Sequence, residues 1–230
     1  MYAELDDEND LVGNVSLEAL GTNSDAAHGW SVARWCDHGD MRQDLTGLVL
    51  AGGRSRRMGT DKALVEIAGR PLVRRIAERL AAVCTEVLVA PGERRLWGLP
   101  WQQVDDRVSG EGPLAGILGG LHVAGTPLMA VAAVDMPAVD GGLYRTLADA
   151  WDGRQVAVVP VADGRPQPLH AVYATASLPQ FAALFDAGER SPTRALQRLD
   201  VMMVDVPGRG SWAVSLDTPD DLAAFDAGRA

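Results

Sequence analysis

Residues 45–62 read Leu45-Thr46-Gly47-Leu48-Val49-Leu50-Ala51-Gly52-Gly53-Arg54-Ser55-Arg56-Arg57-Met58-Gly59-Thr60-Asp61-Lys62. Gly47 to Leu50 is a short apolar run that ends in a glycine turn, as a strand buried on both faces does. Gly52 and Gly53 let backbone N–H groups approach a phosphate with no Cβ in the way. Arg54, Arg56, Arg57 and Lys62 then place four cations within the same eleven residues. A purely structural turn accounts for the glycines and leaves the cations unexplained. The spacing is neither the Walker pattern, which needs GxxxxGK[ST], nor G-x-G-x-x-G.

Lys62 is the single lysine among 21 Lys plus Arg. In a chain that writes Arg nearly everywhere, one retained Lys marks a place where a compact ammonium does what a planar guanidinium does not, unless its survival there is chance.

Outward from this loop, apolar runs alternate with helical periodicity. The pattern predicts a helix from Pro71 to about Val83, with Leu72, Ile76, Leu80 and Val83 on one face, and strands at 87–90 and 101–104. Pro113 opens a small-residue helix to about Val123, followed by a continuous apolar strand over 128–134 and a helix over 142–151. Strands are predicted at 155–161, 169–174 and 201–206, helices at 178–186 and 193–199, and a last helix from Pro219. Strands alternating with helices predict an α/β fold with a mostly parallel sheet covered on both faces.

The formal net charge of −10 is unevenly spread. Residues 1–40 hold nine acids against Arg34, a net of −8, and the remaining chain is close to neutral. Neither part carries the basic footprint of a nucleic-acid binder. Without sustained apolar periodicity, residues 1–40 read as a flexible acidic extension, and 41–230 as one domain. No run approaches the roughly 18 apolar residues of a membrane helix. Cys36 and Cys84 form neither a metal-ligand spacing nor a disulfide framework, so a reducing cytoplasm is the expected compartment.

In open α/β sheets, ligands bind beyond the carboxyl ends of the strands. Asp135 stands there, after the 128–134 strand, where a carboxylate backed by apolar core suits Mg²⁺. A helix N-cap or turn role before Pro137 fits the same residue. Asp105-Asp106 leads into Gly110-Glu111-Gly112-Pro113-Leu114-Ala115-Gly116, a helix start whose glycines leave room for a planar base. His28, His38, His122 and His170 share no spacing, and each reads first as structural or exposed. His170 sits in Pro166-Gln167-Pro168-Leu169-His170, a candidate substrate wall.

Leu50-Ala51-Gly52-Gly53-x-Ser55-x-Arg57-Met58-Gly59-x-Asp61-Lys62 resembles the signature of the MobA-like nucleotidyltransferases, the molybdenum cofactor guanylyltransferase branch in particular. The resemblance continues through Gly112-Pro113-Leu114-Ala115-Gly116, Asp135-Met136-Pro137, Gln167-Pro168-Leu169 and Asp217-Thr218-Pro219-Asp220-Asp221-Leu222. It implies a Rossmann-like three-layer sandwich of the nucleotide-diphosphosugar transferase type. It implies transfer of GMP from Mg·GTP to the terminal phosphate of molybdopterin, with pyrophosphate released. Cytidylyl or other nucleotidyl transfer, and a non-catalytic nucleotide-binding role, are the alternatives. Molybdoenzymes or cofactor-insertion chaperones are the protein partners that such a product implies.

By the same resemblance, Leu50, Ala51, Gly52 and Gly53 hold the nucleotide, while Arg57 and Lys62 meet its phosphates. Asp106 contacts the nucleotide, with Asp105 as the neighbouring register, and Asp135 holds Mg²⁺. Gln167 and Pro168 face the acceptor. Ser215 and Asp217 stand where the family often has asparagines, and Asp217 would offer a second carboxylate to the metal.

Overall fold

The computed structural model describes residues 31–33, 44–52, 61–206, 215–216 and 218–227. In chain order these form β1 (Ser31–Ala33), β2 (Leu45–Leu50), β3 (Glu66–Ile67), β4 (Arg70–Pro71), α1 (Leu72–Ala81), β5 (Glu86–Ala90) and β6 (Gln102–Gln103). There follow α2 (Pro113–Val123), β7 (Leu128–Ala133), α3 (Gly141–Asp149), β8 (Ala157–Ala162), β9 (Arg165–Pro166) and β10 (Val172–Ala174). The chain closes with α4 (Leu178–Asp186), α5 (Pro192–Leu196), β11 (Val201–Asp205) and α6 (Pro219–Ala227). No helix among the described residues is long and apolar enough to cross a membrane.

Strands β1-β11-β8-β10-β7-β2-β5-β6 make one sheet in that order, with β9 also paired to β8. The ladders β5–β2–β7 and β1–β11–β8 are parallel, and β10 runs antiparallel between β7 and β8. The central strands β2, β5, β7 and β8 are apolar along most of their length because both faces are covered. Val49, Leu128, Ala130 and Ala132 pack on the face with α1 and α3. Their neighbours Leu48, Leu50, Met129 and Val131 pack on the opposite face with α2, α4 and α5. This strict alternation makes the fold a three-layer sandwich.

Four features differ from the pattern read along the chain. The predicted strand over 169–174 is divided into a 3₁₀ turn, Pro168–His170, and the short β10. Pro168 has no N–H to give a ladder, and His170 N–H bonds back to Gln167 O at 3.0 Å. A two-stranded hairpin, β3–β4, precedes α1. Strand β9 returns on β8. Ser31–Ala33, inside the acidic segment, pairs in parallel with Met202–Val204 at the sheet edge.

Helix α2 is buried over most of its surface because it is rich in glycine. A Cβ on Gly119 would fall 2.1 Å from Asp105 O, and one on Gly120 would fall 2.5 Å from Leu48 Cδ2. The glycines therefore seat the helix directly on β2 and on the Asp105–Asp106 backbone.

Candidate active site

From β2 the chain passes through α1 to β5 on one side, and from β6 it returns through α2 to β7 on the other. The strand order reverses between β2 and β7, and such a switch point opens a crevice at the carboxyl ends. Leu50 ends β2 and Asp135 lies two residues beyond β7, with Val134 N–H bonded to Leu50 O at 3.2 Å.

A cleft of about 600 Å³ lies beside this point. It is lined by Leu50 and Ala90, by the glycines Gly52, Gly92, Gly110, Gly112 and Gly116, and by the charged Glu93, Arg94 and Asp106. Gly110 and Gly112 have φ of +75° and +89°, a left-handed backbone that favours glycine. Gly52 lies against the next turn so closely that a Cβ would sit 3.1 Å from Gly92 Cα. Asp106 reaches the cleft, and its carboxyl is raised above the ordinary value by burial, then by Asp105 and Glu93. A carboxylate under that load favours a ligand edge rich in hydrogen-bond donors.

Both described ends of the loop after β2 are held by one side chain. Arg94 donates to Ala51 O at 3.0 Å, to Pro91 O at 2.9 Å, and to the Asp61 carboxylate. Asp61 also accepts from Ala63 N–H at 3.1 Å, capping the 3₁₀ turn Lys62–Leu64 that carries the lysine.

Asp135 is not a helix cap: Asp140 caps α3, accepting from Leu143 N–H at 3.2 Å. Instead, Asp135 Oδ1 is buried and lies 3.7 Å from Nε2 of the fully buried His170, beyond hydrogen-bond distance. The other ring nitrogen of His170 lies 3.3 Å from Tyr144 OH. Burial pushes the Asp135 carboxyl up, yet His170 and Lys62 together outweigh it and hold the group below its ordinary value. The charge of Lys62 thus reaches the carboxylate at the neighbouring strand exit. Leu216 N–H bonds to Asp135 O at 2.8 Å, which brings the 215–216 segment to the site.

Of the expected site residues, Leu50, Gly52 and Asp106 line the cleft, Ala51 follows directly on Leu50, and Lys62 lies within electrostatic reach of Asp135 at the neighbouring strand exit. Gly53, Arg57 and Asp217 lie outside the described residues. Gln167 and Pro168 are half-buried and lead into His170; Gln167 is held by its N–H to Pro160 O at 2.9 Å. Thr218 and Asp221 exchange hydrogen bonds of 2.8 and 3.1 Å, so part of the Thr218–Asp221 pattern caps α6. Reading along the chain missed Arg94, Tyr144 and the contact of His170 with Asp135. No spacing links these residues, because each meets its partner across strands.

A sheet that reverses its strand order beside a glycine-lined cleft at the carboxyl ends of its strands has the ligand-binding architecture of the open α/β class. The family model for the MobA-like NTP transferase domain matches residues 47–202, and the chain belongs to that family. It is 36% identical over 199 residues to the probable molybdenum cofactor guanylyltransferase of Chloroflexus aggregans, covering 80% of this chain and 94% of that one. It is 32% identical to the molybdenum cofactor guanylyltransferase of Pseudomonas fluorescens, covering 78% and 92%.

Among solved structures, the molybdopterin-guanine dinucleotide biosynthesis protein A of Archaeoglobus fulgidus superposes with a TM-score of 0.68. The two are 26% identical, covering 80% of this chain and 98% of that one. The 2-C-methyl-D-erythritol 4-phosphate cytidylyltransferase of Thermus thermophilus shares the fold at a TM-score of 0.59 and 23% identity, covering 80% and 98%.

Proposed function

We propose that the protein transfers GMP from GTP to the terminal phosphate of molybdopterin and releases pyrophosphate. The observation that carries this reading is the approach of Lys62 and His170 to the Asp135 carboxylate beside a cleft of nucleotide size.

The acceptor phosphate is already an anion, so no general base is required. An acceptor oxygen bonds to the α-phosphorus of GTP, the bond from that phosphorus to its β-bridging oxygen breaks, and pyrophosphate leaves with the electron pair. The difficulty is to bring two anions together, so catalysis is positioning and charge neutralisation. Lys62 supplies a positive charge within electrostatic reach of the Asp135 carboxylate. A unit charge about 4 Å from another contributes roughly 4 kcal/mol at an effective dielectric of 20, on the order of a thousandfold in rate.

Asp135 fits Mg²⁺, which takes one or two protein carboxylates and completes its shell with phosphates and water. Its Oδ1 is turned inward, while the side chain as a whole remains 31% exposed. Bound there, the metal would polarise the phosphoryl oxygens. Asp106 offers an acceptor to the adjacent N1–H and N2–H₂ donors of guanine. Cytosine presents a donor beside an acceptor and matches a carboxylate less well.

A pyrophosphate-release assay with GTP, CTP and UTP in parallel, with molybdopterin present, tests the proposal. Release from GTP above the other two is expected. Preference for CTP would replace the base assignment, and tight GTP binding with no release would make the protein a nucleotide binder.

A further inference from the structure

We propose that Arg94 is a positioning residue for nucleotidyl transfer: it clasps the two ends of the 52–60 segment and, through Asp61, sets the direction of Lys62. The inference rests on the guanylyl-transfer reading above.

Ala51 and Asp61 are ten residues apart in the chain, and one guanidinium joins them. Its Nη2 serves Ala51 O and the Asp61 carboxylate, while its Nη1 serves Pro91 O in the turn that follows β5. The loop from β2 is thereby tied to the adjacent strand exit as well as to itself. Ala51 N–H bonded to Ala90 O at 2.9 Å, and Gly52 against Gly92, complete the seat. The same Oδ1 of Asp61 also accepts from Ala63 N–H, so its position fixes the turn in which Lys62 is the first residue.

A planar fork meets acceptors in two directions at once, whereas an ammonium on a flexible stem lacks that fixed geometry. The pair is only 33% and 25% exposed, which shields it from the screening that weakens surface pairs. Loss of one member leaves the other charge uncompensated in a partly buried place. Arg94 lines the cleft, but both its terminal nitrogens are turned to protein acceptors, so its effect on the reaction is exerted through Asp61 and Lys62.

The test compares Arg94→Met, Arg94→Lys, Asp61→Asn and the double variant Arg94→Met/Asp61→Asn. Steady-state pyrophosphate release, affinity for a fluorescent GTP analogue and melting temperature are measured for each. Arg154→Met, which breaks an exposed ion pair elsewhere, serves as the control. Arg94→Met is expected to lower kcat by about ten- to a hundredfold, as a small misplacement of a catalytic group does. Arg94→Lys should recover part of the loss, and the double variant should be no worse than Arg94→Met alone.

Multiplying effects in the double variant would show that Arg94 acts on the nucleotide independently of Asp61, and would overturn the proposal. A lower melting temperature with kcat and KM unchanged would make the clasp merely structural. If the wild-type protein released pyrophosphate from another nucleoside triphosphate and not from GTP, the guanylyl reading would fall. The same variants, measured with that nucleotide and its fluorescent analogue, would still decide the role of Arg94.

Discussion

Nε2 of His170 lies 3.7 Å from Oδ1 of Asp135, and both atoms are sealed from solvent. Tyr144, fully buried on α3, backs the imidazole, so a polar chain runs from a helix through the 3₁₀ turn to the strand exit. Partners behind a metal-binding carboxylate set its orientation and strength. His170→Asn should raise the Mg²⁺ concentration for half-maximal activity about tenfold, with the GTP KM at saturating Mg²⁺ little changed. Metal titrations of pyrophosphate release, together with Mn²⁺ binding followed by electron paramagnetic resonance, check it. Unchanged metal affinity would remove His170 from this role.

Lys62→Ala should lose about a thousandfold in kcat, following from the charge estimate above. Lys62→Arg should also be impaired, since the guanidinium is larger and presents its donors in a fixed plane. Near-normal turnover by Lys62→Ala would exclude it as the cation at the reacting phosphates.

The carboxyls of Asp106 and Asp135 are shifted in opposite directions from their ordinary value. Asp135 is depressed, so the stability it contributes is complete above the ordinary carboxylate range and is lost as pH falls through the depressed value. Asp106 is raised, so its ionisation opposes folding once pH exceeds the ordinary value of 3.8. Asp106→Asn should therefore raise the melting temperature at pH 7, lose that gain below the ordinary range, and weaken GTP binding. Melting curves at the two pH values and a nucleotide titration read both effects; a lowered melting temperature at pH 7 would contradict the assignment.

Gly119→Ala should destabilise the protein by about 2 kcal/mol or more, as overpacking a tight interior does. The added methyl would collide with Asp105 O and push α2 away from the Asp106 turn. Denaturant unfolding measures the loss, and the GTP KM should rise with it. Wild-type values for both would mean that the helix seat yields freely.

Much of the architecture was legible from local pattern. The 113–123 helix matches its predicted bounds, and the strand ends near Leu50 and Asp135 fall within one residue of expectation. Buried parallel strands are continuous apolar runs, and proline marks several helix starts, so both signals lie within a few residues of chain. The reversed β10 was not legible. A three-residue apolar strand carries no mark of its direction, and its pairing is decided by β7 and β8 on either side.

The sequence by itself determined the α/β class, the glycine and cation loop, and Asp135 as a strand-exit carboxylate, all from residue type and short spacing. The candidate roles of Lys62 and Asp106 rest on the resemblance of their motifs to those of a known family. Tertiary structure alone decided that Arg94 joins Ala51 to Asp61, that His170 stands behind Asp135, and that Asp140 rather than Asp135 caps α3. The first two join residues more than thirty positions apart, and the third turns on where α3 begins. Nothing local encodes the long-range contacts, because they arise only when neighbouring strand exits are stacked at one edge of the sheet.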